Sequence, residues 1–210
     1  MSRRAGEGRV VADLQTGEGL AEAVAGVDAV AHLASSPSAH TEQTDVHGTR
    51  RLVEHLPNDV HLIYISIVGV DKTWAPYYQA KLAAEFEVEK HPRHTILRTT
   101  QWHPLLDYFF AKLPGLPLLF IPRIPVQPMS VPIVAQHFAD AVVDEPRGRL
   151  RDLGGPEVVL APELLRRWFA KRGLTRWVIG FPFLGAIAGG CLTTHNNLPG
   201  PTWDDWLEDH

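Results

Sequence analysis

Short apolar runs alternate with amphipathic stretches along the first two-thirds of the chain. Residues 10–14, 29–34, 61–66 and 95–98 are brief, apolar and rich in β-branched side chains, the pattern of parallel strands buried on both faces. Residues 20–25, 45–55 and 78–90 carry apolar positions three and four apart, and Pro57 and Pro92 stop the second and third of these stretches, as expected of helices. Strand alternating with helix predicts an α/β fold with a doubly wound parallel sheet. Six prolines between positions 114 and 132 exclude a helix there and leave edge strand or extended loop. Helical spacing resumes at 133–143 and 163–172, with Pro162 in a first turn where it costs no hydrogen bond. Thr202-Trp203-Asp204-Asp205-Trp206-Leu207 reads as a short capped helix that docks by its tryptophans.

Composition narrows the function classes. With 45% apolar residues the chain can bury a substantial core, and its net charge of -4 has both signs interspersed. It offers no basic stripe for nucleic acid and no polybasic segment for a membrane. Residues 177–193 are apolar, but the run is broken by Pro182 and several glycines and falls short of the about 20 residues a span needs. A buried lobe helix is expected there. The single Cys191 excludes an intrachain disulfide framework and fits a reducing cytoplasm. The charged N-terminus is not followed by an apolar stretch, so no signal peptide is expected. None of the eleven histidines forms an HExxH pair, and no metal is expected. Trp74, Trp102, Trp168, Trp177, Trp203 and Trp206 read as packing residues.

Candidate chemistry gathers after the third apolar run. Ser66 ends that run, and open α/β sheets place their ligands at the C-terminal ends of strands. A serine there can hydrogen-bond a carbonyl oxygen under reduction. Tyr77 and Lys81 are four apart at the start of the next helix and share one of its faces. The ammonium is then expected to lower the phenol's pKa and to bind a ribose hydroxyl, while the phenol serves as general acid. A phosphate-binding turn would need a strand, a glycine-rich loop and a helix N-terminus. Gly6, Gly8, Gly17 and Gly19 follow no apolar strand and read instead as loop and helix-entry glycines.

Ile65-Ser66-Ile67-Val68-Gly69-Val70-Asp71 and Tyr77-Tyr78-Gln79-Ala80-Lys81-Leu82-Ala83-Ala84-Glu85 resemble the NmrA-like atypical branch of the short-chain dehydrogenase/reductase superfamily. Ala31-His32-Leu33-Ala34-Ser35, Asp45-Val46-His47-Gly48-Thr49-Arg50, Leu97-Arg98-Thr99-Thr100-Gln101-Trp102-His103, Gly154-Gly155-Pro156-Glu157 and Thr202-Trp203 extend the resemblance over nearly the whole chain. It implies a Rossmann-like domain over residues 1–113 and 133–160, and a small C-terminal substrate lobe over 114–132 and 161–210. It also implies an N-terminal truncation of roughly 25 to 30 residues, covering the first strand, glycine loop, helix and most of the second strand. Residues 10–14 would then slide inward to pair with 29–34 or stay loosely attached, and an exposed sheet edge would invite association.

The resemblance implies NADP, or NAD, as cofactor and a small carbonyl or quinone-like substrate. Tyr77 would donate the proton, Lys81 would tune it and hold the ribose, and Ser66 would orient the carbonyl. Leu33, Ala34 and Ser35 would line the dinucleotide, Asp13 and Leu14 would flank the adenine, and Thr100 and Gln101 would face the nicotinamide. Arg3 and Arg4 would meet a 2'-phosphate. The alternative expectation is a non-catalytic regulator that senses the dinucleotide; regulators of this type tend to lack the Tyr and Lys pair that this chain retains.

Overall fold

The computed structural model describes residues 4, 6–36, 41–113, 115–185, 187 and 190–210. In chain order the elements are α1 (Leu20–Ala23), β1 (Ala29–His32), a π-helical segment (Glu42–His47) running into α2 (Gly48–His55), β2 (His61–Ile67), α3 (Pro76–Val88), β3 (His94–Thr99) and α4 (His103–Ala111). These are followed by β4 (Leu118–Pro122), β5 (Pro125–Val126), α5 (Val131–Val143), β6 (Gly148–Arg149), β7 (Val159–Leu160), α6 (Ala161–Lys171), β8 (Trp177–Phe181) and α7 (Trp203–Glu208). The chain divides into two compact units. The first comprises Met1–Ser66, Trp74–Leu97 and Phe138–Leu150; the second comprises Ile67–Thr73, Arg98–His137 and Arg151–His210. Residues 67–73, 98–113, 133–137 and 151–160, expected in the nucleotide-binding domain, thus cluster with the second unit.

A four-stranded sheet of order β1-β2-β3-β6 organises the first unit. β1 pairs with β2 in parallel, from Ala29 opposite His61 to His32 opposite Tyr64, and β3 pairs with β6 in parallel. Leu62, Ile63 and Tyr64 are fully buried, as the unbroken apolar run implied. Leu20, Leu52, Leu56, Ala84 and Val88 pack against Val60, Leu62, Tyr64 and Ile96 in one core. Burial of each large aliphatic side chain there contributes about 1.5–3 kcal/mol. Glu87 ties α2 to α3, accepting from Arg50 at 2.9 Å and from Lys90 at 2.6 Å.

Residues 10–14 do not form the expected strand, and they do not pair with 29–34. Local hydrogen bonds use both backbone polar groups of Asp13. The Asp13 amide donates to the Glu18 carbonyl at 2.9 Å, and the Asp13 carbonyl accepts from the Gly17 amide at 2.8 Å. The Asp13 carboxylate takes the Gln15 amide at 2.7 Å. Side-chain packing holds the segment instead, since Ala12 is buried and Leu14 rests on the core. At Gly19, with φ of 71°, a β-carbon would lie 2.1 Å from the Val11 carbonyl oxygen, so this close turn admits only glycine.

The second unit packs Leu106, Leu119, Val126, Leu164, Leu165, Trp168, Phe169, Val178, Trp203 and Leu207 into its own core. Its extended 115–130 stretch supplies β4 and β5, as the prolines predicted, while α5 already begins at Val131, inside the stretch expected to be free of helix. Residues 177–181, expected in a helix, form the strand β8 and pair in parallel with β4, from Leu118 opposite Trp177 to Pro122 opposite Phe181. Trp-Val-Ile-Gly-Phe favours a pleated strand: Val178 is buried while Trp177 and Ile179 are exposed. The helix α4 was not legible in sequence. Leu106 packs inward, but Leu105, Tyr108 and Phe109 on its outer side are apolar too, which erases the amphipathic signal. Trp168 and Trp203 are packing residues, whereas Trp74 and Trp177 are largely exposed. Thr202 and Asp205 form a reciprocal capping box at the start of α7, as the sequence suggested.

Two buried histidines make stability fall in mild acid. Burial first, and the neighbouring Lys81 second, push His32 down to about 3; burial, with His210 adding to it, pushes His103 down to about 4. Both ring nitrogens of His103 are without a hydrogen-bond partner among the described residues. Above about 6.5, the unperturbed value, both rings are neutral in the folded and unfolded chain. Below it the unfolded chain takes up protons that the fold excludes, so stability declines as pH falls from about 6.5 towards 4. Thermal unfolding at pH 7, 5.5 and 4.5 should show falling midpoints, with a smaller fall in His103→Phe; pH-independent midpoints would refute this.

Candidate active site

Four side chains converge near the C-terminal ends of β1 and β2 and the start of α3. Pro76 occupies the first turn of α3, which sets Tyr77 and Lys81 on the first two turns. The Tyr77 hydroxyl lies 3.1 Å from the Ser35 hydroxyl. Ser35 donates to Asp45 Oδ1 at 2.6 Å, and the Ser36 amide donates to Asp45 Oδ2 at 2.9 Å. The Asp45 side chain is fully buried, and Lys81 Nζ stands 3.8 Å from its Oδ1. Lys81 also donates to the Ile65 carbonyl at 3.0 Å and sits 4.3 Å above the Tyr64 ring. A buried carboxylate and ammonium hold their charges only when paired and hydrogen-bonded, as these are.

Electrostatics differ from the sequence-based expectation. Burial, partly offset by the Asp45 and Glu85 carboxylates, lowers the Lys81 ammonium to about 8. The Tyr77 phenol is raised above its ordinary value by burial and by the Asp45 charge, against a lowering by its bond to Ser35. Lys81 therefore does not lower the phenol here, because its ammonium is directed to Ile65 and Asp45. Tyr77 is held protonated at neutral pH, the state of a general acid.

Ser66 is buried at the end of β2, and its hydroxyl has no hydrogen-bond partner among the described residues. An orphaned buried hydroxyl costs about 1–3 kcal/mol, which an incoming acceptor would relieve. Leu33 is exposed and Ala34 half-buried beside Ser35, leaving this stretch accessible. His32, the last residue of β1, bonds Thr49 at 2.8 Å, and Thr49 in turn donates to the Asp45 carbonyl. Asp45 and Thr49 had no role in the sequence reading. Their only signal was the Asp45–Arg50 motif, and nothing in it indicated a contact with Lys81, 36 positions away.

Asp13 and Leu14 belong to the turn described above, where one Asp13 carboxylate oxygen takes the Gln15 amide and Leu14 packs on the core. Arg4 is exposed, and Arg3 lies outside the described residues. Thr100 and Gln101 belong to the second unit. There the Thr100 hydroxyl accepts from the Gly155 amide at 3.2 Å. The Gln101 amide bridges the Leu192 carbonyl at 3.1 Å and the Gln127 amide at 3.0 Å.

Comparison with solved structures identifies the architecture. The chain matches dTDP-4-dehydrorhamnose reductase from Bacillus anthracis in complex with NADP at a TM-score of 0.73 and 14% identity, over 94% of this chain and 85% of that one. It matches dTDP-glucose 4,6-dehydratase from the same organism, in complex with NAD, at 0.72 and 15%, over 95% and 76%. The fold is Rossmann-like. A short-chain dehydrogenase/reductase superfamily protein from Agrobacterium tumefaciens with bound NAD matches at 0.70 and 20%, over 99% and 86%. No protein-family model matches the sequence, and the comparison with curated proteins finds no match. Among the described residues no helix is long and apolar enough to cross a membrane, and no group of three His, Cys, Asp or Glu is placed to hold a metal ion.

Proposed function

We propose that this protein is an NAD(P)H-dependent oxidoreductase of the NmrA-like short-chain dehydrogenase/reductase type, acting on a small carbonyl or quinone-like substrate in the cytoplasm. The observation that carries this reading is the protonated Tyr77 phenol beside Ser35, near the C-terminal ends of β1 and β2 in a Rossmann-like sheet. Neighbours of the same fold carry NAD or NADP, and the exposed stretch at Leu33 and the unpartnered Ser66 hydroxyl support a dinucleotide site here. Leu33, Ala34 and Ser35 would line it, and the orphaned Ser66 hydroxyl would receive a substrate oxygen. When bound, a reduced nicotinamide supplies a hydride. The protein supplies the proton from Tyr77, keeps it there at neutral pH by burial, and orients the carbonyl with Ser66. Arg4 favours NADP through its affinity for phosphate.

A dinucleotide-sensing regulator is the second reading. It is favoured by one observation: the Lys81 side chain is buried and its ammonium already engages the Ile65 carbonyl and Asp45, which competes with a ribose for its donors. Titration of the full chain with NADPH and NADH, followed by tryptophan fluorescence, separates the readings when paired with NADPH oxidation by 9,10-phenanthrenequinone. Saturable binding with quinone-dependent oxidation is expected. Binding without turnover on this quinone or on a panel of aldehydes and ketones would favour the sensor, and no binding of either dinucleotide would sink both.

A further inference from the structure

In the second unit β4 and β8 form a two-stranded parallel ribbon. Successive side chains of a strand point to opposite faces. Leu119, Ile121 and Val178 pack into the core on one face. On the other face the register forms three pairs, Leu118 with Trp177, Phe120 with Ile179, and Pro122 with Phe181. None of these six side chains is charged. Trp177 is 74% exposed, Phe120 63% and Ile179 45%. Each pair joins one aromatic ring to one smaller side chain, and the ring changes strand from one pair to the next.

We propose that this face binds the same face of a second copy of the chain, in a two-fold dimer whose axis runs along the strands between the two ribbons. Rotation about that axis sets β4 of each copy over β8 of the other, both running in the same direction. The second copy's Leu118 then lies over Trp177, its Ile179 over Phe120 and its Pro122 over Phe181. Every ring meets a smaller side chain, so the two faces interdigitate as the inner faces of aligned sheets do, about 10 Å apart. An axis across the strands would set Phe120 on Phe120 and Trp177 on Phe181, ring on ring, and leave small side chains facing small ones. The face is thus complementary to itself, the requirement of a two-fold interface. A lipid surface, being fluid, would demand apolar side chains but no such alternation. The area also suffices. Aromatic side chains bury about 150–250 Å² each, and at these exposures the six residues offer on the order of 500 Å² of apolar surface. A standard interface takes about 800 Å² from each partner, a little over half of it apolar, which is about 450 Å².

Sedimentation equilibrium of the full chain over a concentration series tests the proposal. The wild type should be a reversible dimer. Phe120→Glu should raise the dissociation constant by about 100-fold, because its carboxylate would be buried against the second copy's Ile179. Trp177→Ala should raise it by about 30-fold. Circular dichroism checks that each variant folds, as substitution at exposed positions allows; if Phe120→Glu does not, Trp177→Ala decides. Orientation is read in a Cys191→Ser background with a short bis-maleimide. Leu118→Cys should then cross-link to itself, because an axis along the strands brings the same ends of both ribbons together, whereas an axis across them brings position 118 to position 122. A chain that stays monomeric, a dimer that neither Phe120→Glu nor Trp177→Ala weakens, or a monomer that instead sediments with vesicles of phosphatidylcholine and phosphatidylglycerol would overturn the proposal. A dimer weakened by both variants in which Leu118→Cys does not cross-link would overturn the orientation. No readout here involves a dinucleotide or turnover, so the outcome is independent of the oxidoreductase reading.

Discussion

Tyr77→Phe is expected to lower NADPH-dependent reduction of 9,10-phenanthrenequinone by roughly 10²- to 10⁴-fold, the usual contribution of a positioned general acid, with NADPH affinity unchanged. The substitution removes one oxygen and little else. Its ring keeps the edge contact with Tyr78, at 5.7 Å between centroids. Ser35 retains its bond to Asp45, and the Lys81 pair is untouched. Binding contacts are therefore preserved while the proton donor is lost, so the deficit should fall on kcat and not on KM. Stopped-flow turnover together with equilibrium NADPH titration checks this. A variant that turns over at the wild-type rate would remove Tyr77 from the chemistry, and one that loses binding would make it a structural residue.

Trp203→Ala should destabilise the second unit by about 3–5 kcal/mol. The indole is fully buried and stacks on Trp206 at 5.3 Å with an interplanar angle of 13°. Phe110 meets it edge-on at 5.9 Å, and His103 lies at a similar distance. Its Nε1–H donates to the Leu164 carbonyl at 3.1 Å, which ties α7 to α6. Truncation opens a cavity and leaves that carbonyl without the indole's hydrogen bond, and the two losses compound. Trp203→Phe, which keeps a ring but not the donor, should cost less. Trp74→Ala, at an 86% exposed position, should stay within about 0.5 kcal/mol of wild type. Urea denaturation followed by circular dichroism orders the three. Equal midpoints for Trp203→Ala and Trp74→Ala would contradict the packing described.

Where pattern and local chemistry agree, the sequence was a reliable guide. β1 to β3 follow apolar runs bounded by turns, and α2, α3, α5 and α6 follow three-and-four spacing with prolines at their ends. The Tyr77 and Lys81 pair was legible because its spacing is local, and Ser66 because it closes a strand. What failed was of two kinds: a strand composition overridden by a local turn, and a strand that needed a partner distant in the chain. Residues 10–14 carry a strand's composition, but the backbone N–H and C=O of Asp13 are used in a turn with residues 17 and 18. Residues 177–181 became a strand because β4 offered a parallel edge.

By itself, the sequence determined the alternation of strand and helix, hence an α/β fold with a parallel sheet, and the presence of a tyrosine and a lysine on one helix face. These follow from periodicity and turn residues, whose range is a few positions. Only the tertiary structure decided what that lysine does. It draws Asp45 from 36 positions away to 3.8 Å, buries both, and turns the ammonium from Tyr77 towards Ile65 and the carboxylate. Burial and long-range pairing set those charges and proton affinities, and neither is encoded in the spacing of residues along the chain.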